Sequence, residues 1–332
     1  MFNFLAYNYW QSDGYGRMAQ RIVKALLKAG VNVRPDLTDV LDYPHWQQQA
    51  AGLDVGRDNL FLAPASRIRS LPGRVFAWTM YEATVLPEGW TDILNGVHRV
   101  IVPCEWLREV MRENGVYVPA VSVVPGGIDP DECPLLPRNT HRPFTFMLLA
   151  DRYSRKGDDI GYMAFFKAFG RGASANNDVR LIMKMRDKIV TARHIGDPRI
   201  SIWQENVPNM ADVYARADCY VFPTRGEGYG MPPREAAACG LPVIATRWSG
   251  TADNIDHWAI PIDNYEMEYS TLEGHGEWAR PDVDECAEHM RWVYDHQDAA
   301  RALGERASAW LKANETYDCA AAKIMQIMSG AR

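Results

Sequence analysis

The stretch that most constrains what this chain can fold into runs from Cys219 to Thr246. Cys219-Tyr-Val-Phe222 is a short apolar run, and Leu241 to Ala245 is another. Between them lie a loop containing Gly226, Gly228 and Gly230, a helix opening at Pro232-Pro233, and a stop at Gly240. Proline fits the first turn of a helix, where a missing N–H costs nothing, and glycine readily ends one. Short runs that are apolar throughout suit strands buried on both faces. The stretch therefore reads as strand, glycine loop, helix and strand, the unit from which parallel α/β sheets are built. Glycines let a backbone approach a ligand closely, and the helix start after them presents N–H groups to an anion. This loop is expected to hold something phosphorylated.

Two carboxylates frame the loop, Glu227 within it and Glu235 one turn into the helix, with seven residues between them. A carboxylate facing a phosphate is repelled, so each is expected to accept hydrogen bonds from hydroxyls on the same ligand. Phosphate with hydroxyls on both sides suggests a nucleotide sugar. An ordinary helix start, with a glutamate complementing the dipole, accounts for Glu235 but for neither Glu227 nor the glycines.

With its flanks Pro223-Thr-Arg-Gly-Glu-Gly and Glu235-Ala-Ala-Ala-Cys-Gly-Leu-Pro-Val-Ile-Ala-Thr, followed by Ser249-Gly250, the segment resembles the Glu-x7-Glu signature of the family 4 retaining glycosyltransferases. The resemblance implies the α/β GT-B fold, two Rossmann-like domains with doubly wound parallel sheets facing a cleft. Residues 1–140 are then the first domain and 141–313 the second, which binds the donor. Residues 314–332 are a closing helix that in the family crosses back to the first domain. Pro130 to Pro143, with four prolines, reads as the linker.

In the first half, Phe2 to Tyr9 reads as an aromatic strand, and Ser12-Asp-Gly-Tyr-Gly16 turns it into a helix ending at Lys28 before Gly30. Gly14, Tyr15 and Gly16 resemble the family's glycine loop, which closes over the donor phosphates. Further strands are expected at Val31 to Val33, Asn59 to Ala63, Arg74 to Trp78, Arg99 to Val102 and Val121 to Val124. Asp36 to Gly56 reads as a loop of no assigned role. Thr79-Met80-Tyr81-Glu82 follows a strand's carboxyl end, where such sheets bind ligands. Many relatives have a histidine in this region, so Glu82 is taken as the replacement polar group, with capping of the next helix as the alternative. His98 is read as structural. Arg17, Arg21, Lys24 and Lys28 share one helix face, either solvated or available for peripheral contact with an anionic partner.

In the second half, Thr145 to Ala150 reads as a strand, and Asp151-Arg-Tyr-Ser-Arg-Lys-Gly157 leads to a helix near Asp158. Arg152 and Lys156 match the family positions whose cations face the diphosphate, where charge grows on the leaving group; Arg155 is expected to be solvated. Strands are expected at Val179 to Met183, Ile200 to Trp203, Tyr220 to Phe222, Val243 to Ala245 and Ile260 to Ile262. Val207 falls where the family receives the nucleobase. Tyr265 to Arg280 reads as a loop, and its His275 lacks a second ligand at metal spacing. Helices are expected at Asp282 to Asp295, Ala299 to Ala313 and Cys319 to Met328.

The net charge of −6 over 332 residues argues against a strongly basic nucleic-acid binder. No apolar run is long enough to span a membrane, and the start of the chain lacks the features of a signal peptide, so a cytoplasmic location is expected. Six dispersed cysteines read as buried thiols. Asp129-Pro-Asp131 and Asp282-Val-Asp284 sit in turn or helix-start contexts, so no metal and no cofactor is expected. The implied reaction moves a sugar from a UDP- or GDP-linked donor to an acceptor hydroxyl. Glu227 meets the sugar, Glu235 the ribose, and N–H groups of Gly228, Tyr229, Gly230 and Met231 meet the sugar or phosphate. The acceptor is open: glycan, lipid carrier, small molecule, protein or modified nucleic acid. The alternatives are a noncatalytic sugar-nucleotide binder and a GT-B epimerase or donor hydrolase. A nicotinamide-linked dehydrogenase is disfavoured because Gly14-Tyr-Gly16 lacks the third glycine of that fingerprint.

Overall fold

The computed structural model describes residues 2–11, 13–33, 56–137, 143–150, 155–185, 196–205, 207–272 and 276–330. The chain divides into two units, Met1–Asp129 with Leu272–Gly276 and Glu315–Arg332, and Pro130–Thr271 with Glu277–Asn314. The division between these units falls at Asp129/Pro130. The chain returns to the first unit at Glu315.

The first unit is built on β1 (Asn3–Ala6), α1 (Gly14–Lys28), β2 (Asn59–Leu62), β3 (Val75–Trp78), α2 (Trp90–Asn95), β4 (Arg99–Val102), α3 (Glu105–Glu113) and β5 (Val121–Val123). The five strands are parallel and adjacent in chain order. Leu5, Phe61, Ala77 and Val100 are buried in one core with Leu107 and Met111 of α3. Val31 to Val33 is not a strand. Gly30 takes a positive φ of 78°, and the N–H groups of Gly30 and Val31 return to the carbonyls of Leu27 and Leu26. These residues therefore finish α1 as a glycine C-cap. Of the loop expected at Asp36 to Gly56, all but Gly56 lies outside the described residues.

The second unit contains β6 (Phe144–Ala150), α4 (Asp158–Phe169), β7 (Val179–Met185), β8 (Ile200–Trp203), α5 (Met210–Tyr214), β9 (Cys219–Phe222), α6 (Met231–Ala238), β10 (Val243–Thr246), α7 (Ile255–Trp258) and β11 (Ile260–Ile262). It continues through β12 (Tyr265–Tyr269), β13 (Glu277–Pro281), α8 (Val283–Asp295) and α9 (Gln297–Asn314). Its six-stranded parallel sheet has the order β11-β10-β9-β6-β7-β8. From β6 the chain winds outward through β7 and β8, then returns to the other side of β6 with β9. The order reverses between β6 and β9, and open α/β sheets bind ligands at the carboxyl ends of the strands flanking such a reversal.

Tyr265 to Arg280 is not a bare loop. β12 and β13 pair antiparallel, from Tyr265 opposite Pro281 to Tyr269 opposite Glu277. The alternation Tyr265-Glu-Met-Glu-Tyr269 has the period of a strand, but the two glycines, the histidine and the carboxylates of the whole stretch read as a loop. His275 lies outside the described residues.

The closing helix, α10 (Tyr317–Gly330), packs on α1 within the first unit. Lys28 donates to Asp318 at 2.5 Å, the Arg21 guanidinium lies over the Tyr317 ring, and Lys24 donates to Asp129 at 2.7 Å. Arg21, Lys24 and Lys28, considered for peripheral contact, are thus engaged within the fold. The acidic triplets have structural uses as well. Asp129 binds Lys24, Asp282 caps α8 through Glu285 N–H, and Asp284 pairs with Lys167.

α6, which carries Glu235, is held from behind by α9. Ser308 donates to the Ala238 carbonyl at 2.6 Å, and a methyl group added at Gly304 would lie 2.3 Å from the carbonyl oxygen of Gly240. Backbone cannot yield as a flexible side chain can. With three backbone atoms within 2.9 Å of that methyl, the overpacking in Gly304→Ala falls toward the upper end of about 1–3 kcal/mol, so after the roughly 1 kcal/mol that alanine gains over glycine in a helix a net loss of stability of about 1–2 kcal/mol is expected. Urea unfolding checks this; an unchanged or higher midpoint contradicts the packing.

Candidate functional site

The reversal between β6 and β9 places two connections side by side, the turn after β6 that ends at Gly157 and the loop from Pro223 to Gly230 after β9. Their contact is close. Gly157 has a φ of +71°, and a side chain there would meet the Pro223 carbonyl oxygen at 1.7 Å. Only glycine lets the turn lie this near the strand end. The Arg155 carbonyl then accepts from Arg225 N–H at 2.8 Å and from the Thr224 hydroxyl at 3.1 Å.

Glu227 is 6% exposed. Its Oε1 accepts from Lys156 Nζ at 2.5 Å, from Arg155 Nη1 at 2.8 Å and from Thr224 Oγ1 at 3.4 Å. Burial works against the ionised carboxylate, but the charges of Arg155 and Lys156, with the hydrogen bonds that both donate, hold it below the usual carboxylate range. Its own N–H donates to Ser249 Oγ at 2.9 Å, and its carbonyl accepts from Gly250 N–H at 2.8 Å. Arg155 is therefore not solvated, as the sequence suggested; its Nη1 also donates to the Gly226 carbonyl at 2.5 Å. Arg152 lies outside the described residues.

Glu235 is 3% exposed on α6, and the Tyr214 hydroxyl lies 3.2 Å from its Oε2 and 3.1 Å from the Pro232 carbonyl oxygen. Beneath both glutamates sits Tyr220 of β9, 1% exposed, whose hydroxyl has no hydrogen-bond partner among the described residues. Burial, then the charges of Glu227 and Glu235, push its pKa well up. Gly228, Tyr229 and Gly230 are buried in the loop that enters α6 at half-buried Met231. Gly230 caps the helix with a φ of 81°, a left-handed conformation that suits glycine.

Two arginines that the sequence reading passed over give this loop its shape. Arg225 is 6% exposed and makes a fork to Asp159 of α4, both bonds 2.8 Å, and a third bond to Glu268 of β12 at 2.5 Å. Trp278 of β13 donates to the same Glu268 oxygen at 3.0 Å. Burial opposes both charges of the Arg225–Asp159 pair, yet their mutual bonds raise the arginine's pKa and lower the aspartate's. Arg234, 1% exposed, donates to the carbonyls of Tyr229, Gly250 and Asp253 and lies between the rings of Tyr229 and Trp258. The available signal was arginine in a loop otherwise apolar or glycine-rich. Apart from Tyr229, the hydrogen-bond partners named for the two arginines are 16 to 66 residues away, beyond what local patterns reveal.

In the first unit, Gly14 opens α1 and Gly16 N–H donates to the capping Asp13 at 2.9 Å. The Tyr15 hydroxyl meets the backbone of Met80, accepting from its N–H at 3.1 Å and donating to its carbonyl at 3.3 Å. The structure thus brings the glycine turn to Thr79–Glu82 at the carboxyl ends of β1 and β3. Glu82 is half-buried, and its charge, after burial, helps raise the Tyr15 pKa. It does not cap a helix, since the next one begins at Trp90 behind Gly89. Val207 is half-buried just before the cap of α5.

Residues 160–295 match the family model for glycosyl transferases group 1. The D-inositol 3-phosphate glycosyltransferase of Pseudarthrobacter chlorophenolicus is 27% identical over 244 residues, 66% of this chain and 57% of that protein. The chain spans about half the length of this curated relative and of others it matches. Among solved structures, a glycosyltransferase from Rickettsia africae ESF-5 is 13% identical, with a TM-score of 0.71 over 99% of this chain and 98% of that one. The Anabaena protein HepE, solved with UDP, is 12% identical, with a TM-score of 0.69 over 99% of this chain and 100% of that one. The likeness to these structures is one of fold: two Rossmann-like units with parallel sheets, the GT-B type.

The burial of Glu227 has a consequence for stability. Its pKa is lowered on folding, so its stabilising contribution is present above the unfolded value and lost as pH falls through the folded one. Glu227→Gln leaves two cations without their shared anion and is expected to cost about 3–5 kcal/mol at pH 7. The difference from the unaltered protein should close below the usual carboxylate range, where the native side chain is protonated too. Denaturant unfolding at several pH values measures it, and a difference independent of pH contradicts the charge assignment.

Proposed function

We propose that this chain is a retaining glycosyltransferase that moves a sugar from a nucleoside diphosphate donor, UDP- or GDP-linked, to an acceptor hydroxyl. The observation that carries the reading is the pair Glu227 and Glu235 on one glycine loop and helix start, beside Lys156, at the sheet's point of reversal. The matched family model supports it. So do the HepE structures with UDP, with UDP and glucose, and with UDP-glucose, which make a nucleotide sugar the natural probe.

In this reading Glu235 takes the ribose hydroxyls, and Glu227 the hydroxyls of the transferred sugar. N–H groups from Gly228 to Met231 meet the sugar or phosphate, and Val207 lies by the nucleobase. Lys156 and Arg152 neutralise the diphosphate as its bond to the sugar breaks, which supplies the positive charge that other enzymes take from a metal. In the first unit, Gly14, Tyr15 and Gly16 contribute to donor binding and Glu82 to holding an acceptor hydroxyl. Attack and departure occur on one face of the sugar. The acceptor oxygen bonds to the anomeric carbon, the carbon–oxygen bond to the diphosphate breaks, and the acceptor proton passes to the diphosphate. A carboxylate held by two cations and a hydroxyl on one oxygen is a poor nucleophile, which favours this route over a covalent sugar on Glu227.

A panel of nucleotide sugars screened by thermal shift identifies the donor, since a ligand of the folded state stabilises it. With that donor, Glu227→Ala, Glu235→Ala and Lys156→Ala, each shown to be folded, are expected to lower turnover by about 10²-fold or more. Near-normal turnover in all three removes the assignment. Donor binding without turnover on any acceptor points instead to a noncatalytic sugar-nucleotide binder.

A further inference from the structure

We infer that Arg155 is the fixed counter-ion of Glu227, a positioning residue that keeps this carboxylate charged and in place while Lys156 turns from it to a donor diphosphate. The role of the diphosphate rests on the donor reading above; the fixed pairing of Arg155 with Glu227 rests on the geometry alone.

Two cations share one oxygen of Glu227, but they are held differently. Arg155 is tied to the glutamate's loop through both main chain and side chain. Its carbonyl accepts from Arg225 N–H and Thr224 Oγ1, and its Nη1 bridges Glu227 Oε1 and the Gly226 carbonyl. Moving this guanidinium breaks a bond to buried backbone as well as the ion pair. Lys156 reaches the same oxygen on a flexible four-carbon stem, with its ammonium 5.3 Å from the centre of the Phe222 ring. A compact ammonium on such a stem can exchange one anion for another, whereas a planar fork pinned to a carbonyl cannot do so without disturbing the loop.

The charges fit this division. One buried carboxylate with two cations leaves an excess of one positive charge to attract a diphosphate. When Lys156 turns to that ligand, a one-to-one pair remains at Glu227. Without Arg155, the same exchange strands an anion away from water, and the group takes up a proton instead. Among the described residues, the charged and titratable groups that face Glu227 include Arg155 and Lys156 from the turn and Tyr220 from β9, which also feels the charge of Glu235 from α6; Thr224 and Ser249 add hydroxyls. Burial acts to raise the Glu227 pKa, and the charge of Arg155 is the largest influence opposing it.

The test compares the unaltered full-length chain with Arg155→Gln and Arg155→Lys. In the ligand-free proteins, the Glu227 carboxyl carbon is titrated by ¹³C NMR. UDP and GDP are then bound by calorimetry near pH 6.5 in buffers of different ionisation enthalpy, which counts the protons taken up. In Arg155→Gln, Glu227 should titrate at higher pH, nucleotide affinity should fall about tenfold or more, and binding should draw in up to one proton beyond the unaltered protein. Arg155→Lys should restore much of each. An unchanged carboxyl titration, or an affinity loss that is equal at every pH with no added proton, overturns the inference and leaves Arg155 a merely structural residue. If the unaltered protein binds neither nucleotide, the donor reading and the exchange both fail, and the ligand-free titration alone decides whether Arg155 is the counter-ion.

Discussion

One ionised carboxylate inside the second unit, Glu227, sets the terms for everything around it. A buried anion is tolerated only with opposite charge and hydrogen bonds close by. The parallel sheet provides these by reversing its order between β6 and β9, so the turn after one strand lies against the loop after the other. The small volume of Gly157 lets them touch, and Arg155 and Lys156 then reach the glutamate within 2.8 Å.

The irregular backbone near the carboxylate raises a second difficulty, because buried carbonyls need donors. Arginine is suited to this, since its planar fork carries several donors that cannot lose their charge. Arg234 binds three carbonyls of the loops around α6, and Arg199, just before β8, binds those of Phe169, Gly170 and Asn176 between α4 and β7. Arg225 extends the same principle to carboxylates, joining the glutamate's loop to α4 and to the β12–β13 hairpin. The glycines permit the loop's path, and the arginines select one path among those permitted.

In the first unit the comparable work falls to a tyrosine. The Tyr15 hydroxyl both donates to and accepts from the Met80 backbone, which fastens the glycine turn to the segment carrying Glu82. The cationic face of α1 serves the fold as well: Arg21 and Lys28 secure the closing helix, and Lys24 holds Asp129.

Much of this was legible in the amino-acid order. Strand and helix periods, glycine stops and the prolines opening α6 are local signals, and they located most elements within a few residues, with Arg99–Val102, Ile200–Trp203 and Ile260–Ile262 read to the residue. The spacing of Glu227 and Glu235 marked, by the same kind of local signal, a loop that the structure buries at the sheet's reversal. Val31 to Val33 misled because the N–H groups of Gly30 and Val31 turn back to close α1, and β12 misled because the glycines, histidine and carboxylates of its stretch read as a loop. The tertiary structure alone decided which cations hold Glu227, that Arg155 is half-buried and paired with it rather than solvated, and that Arg225 meets Asp159 and Glu268. Such pairings depend on where distant segments come to rest against one another, and a side chain's partner across 43 or 71 residues leaves no periodic trace in the chain.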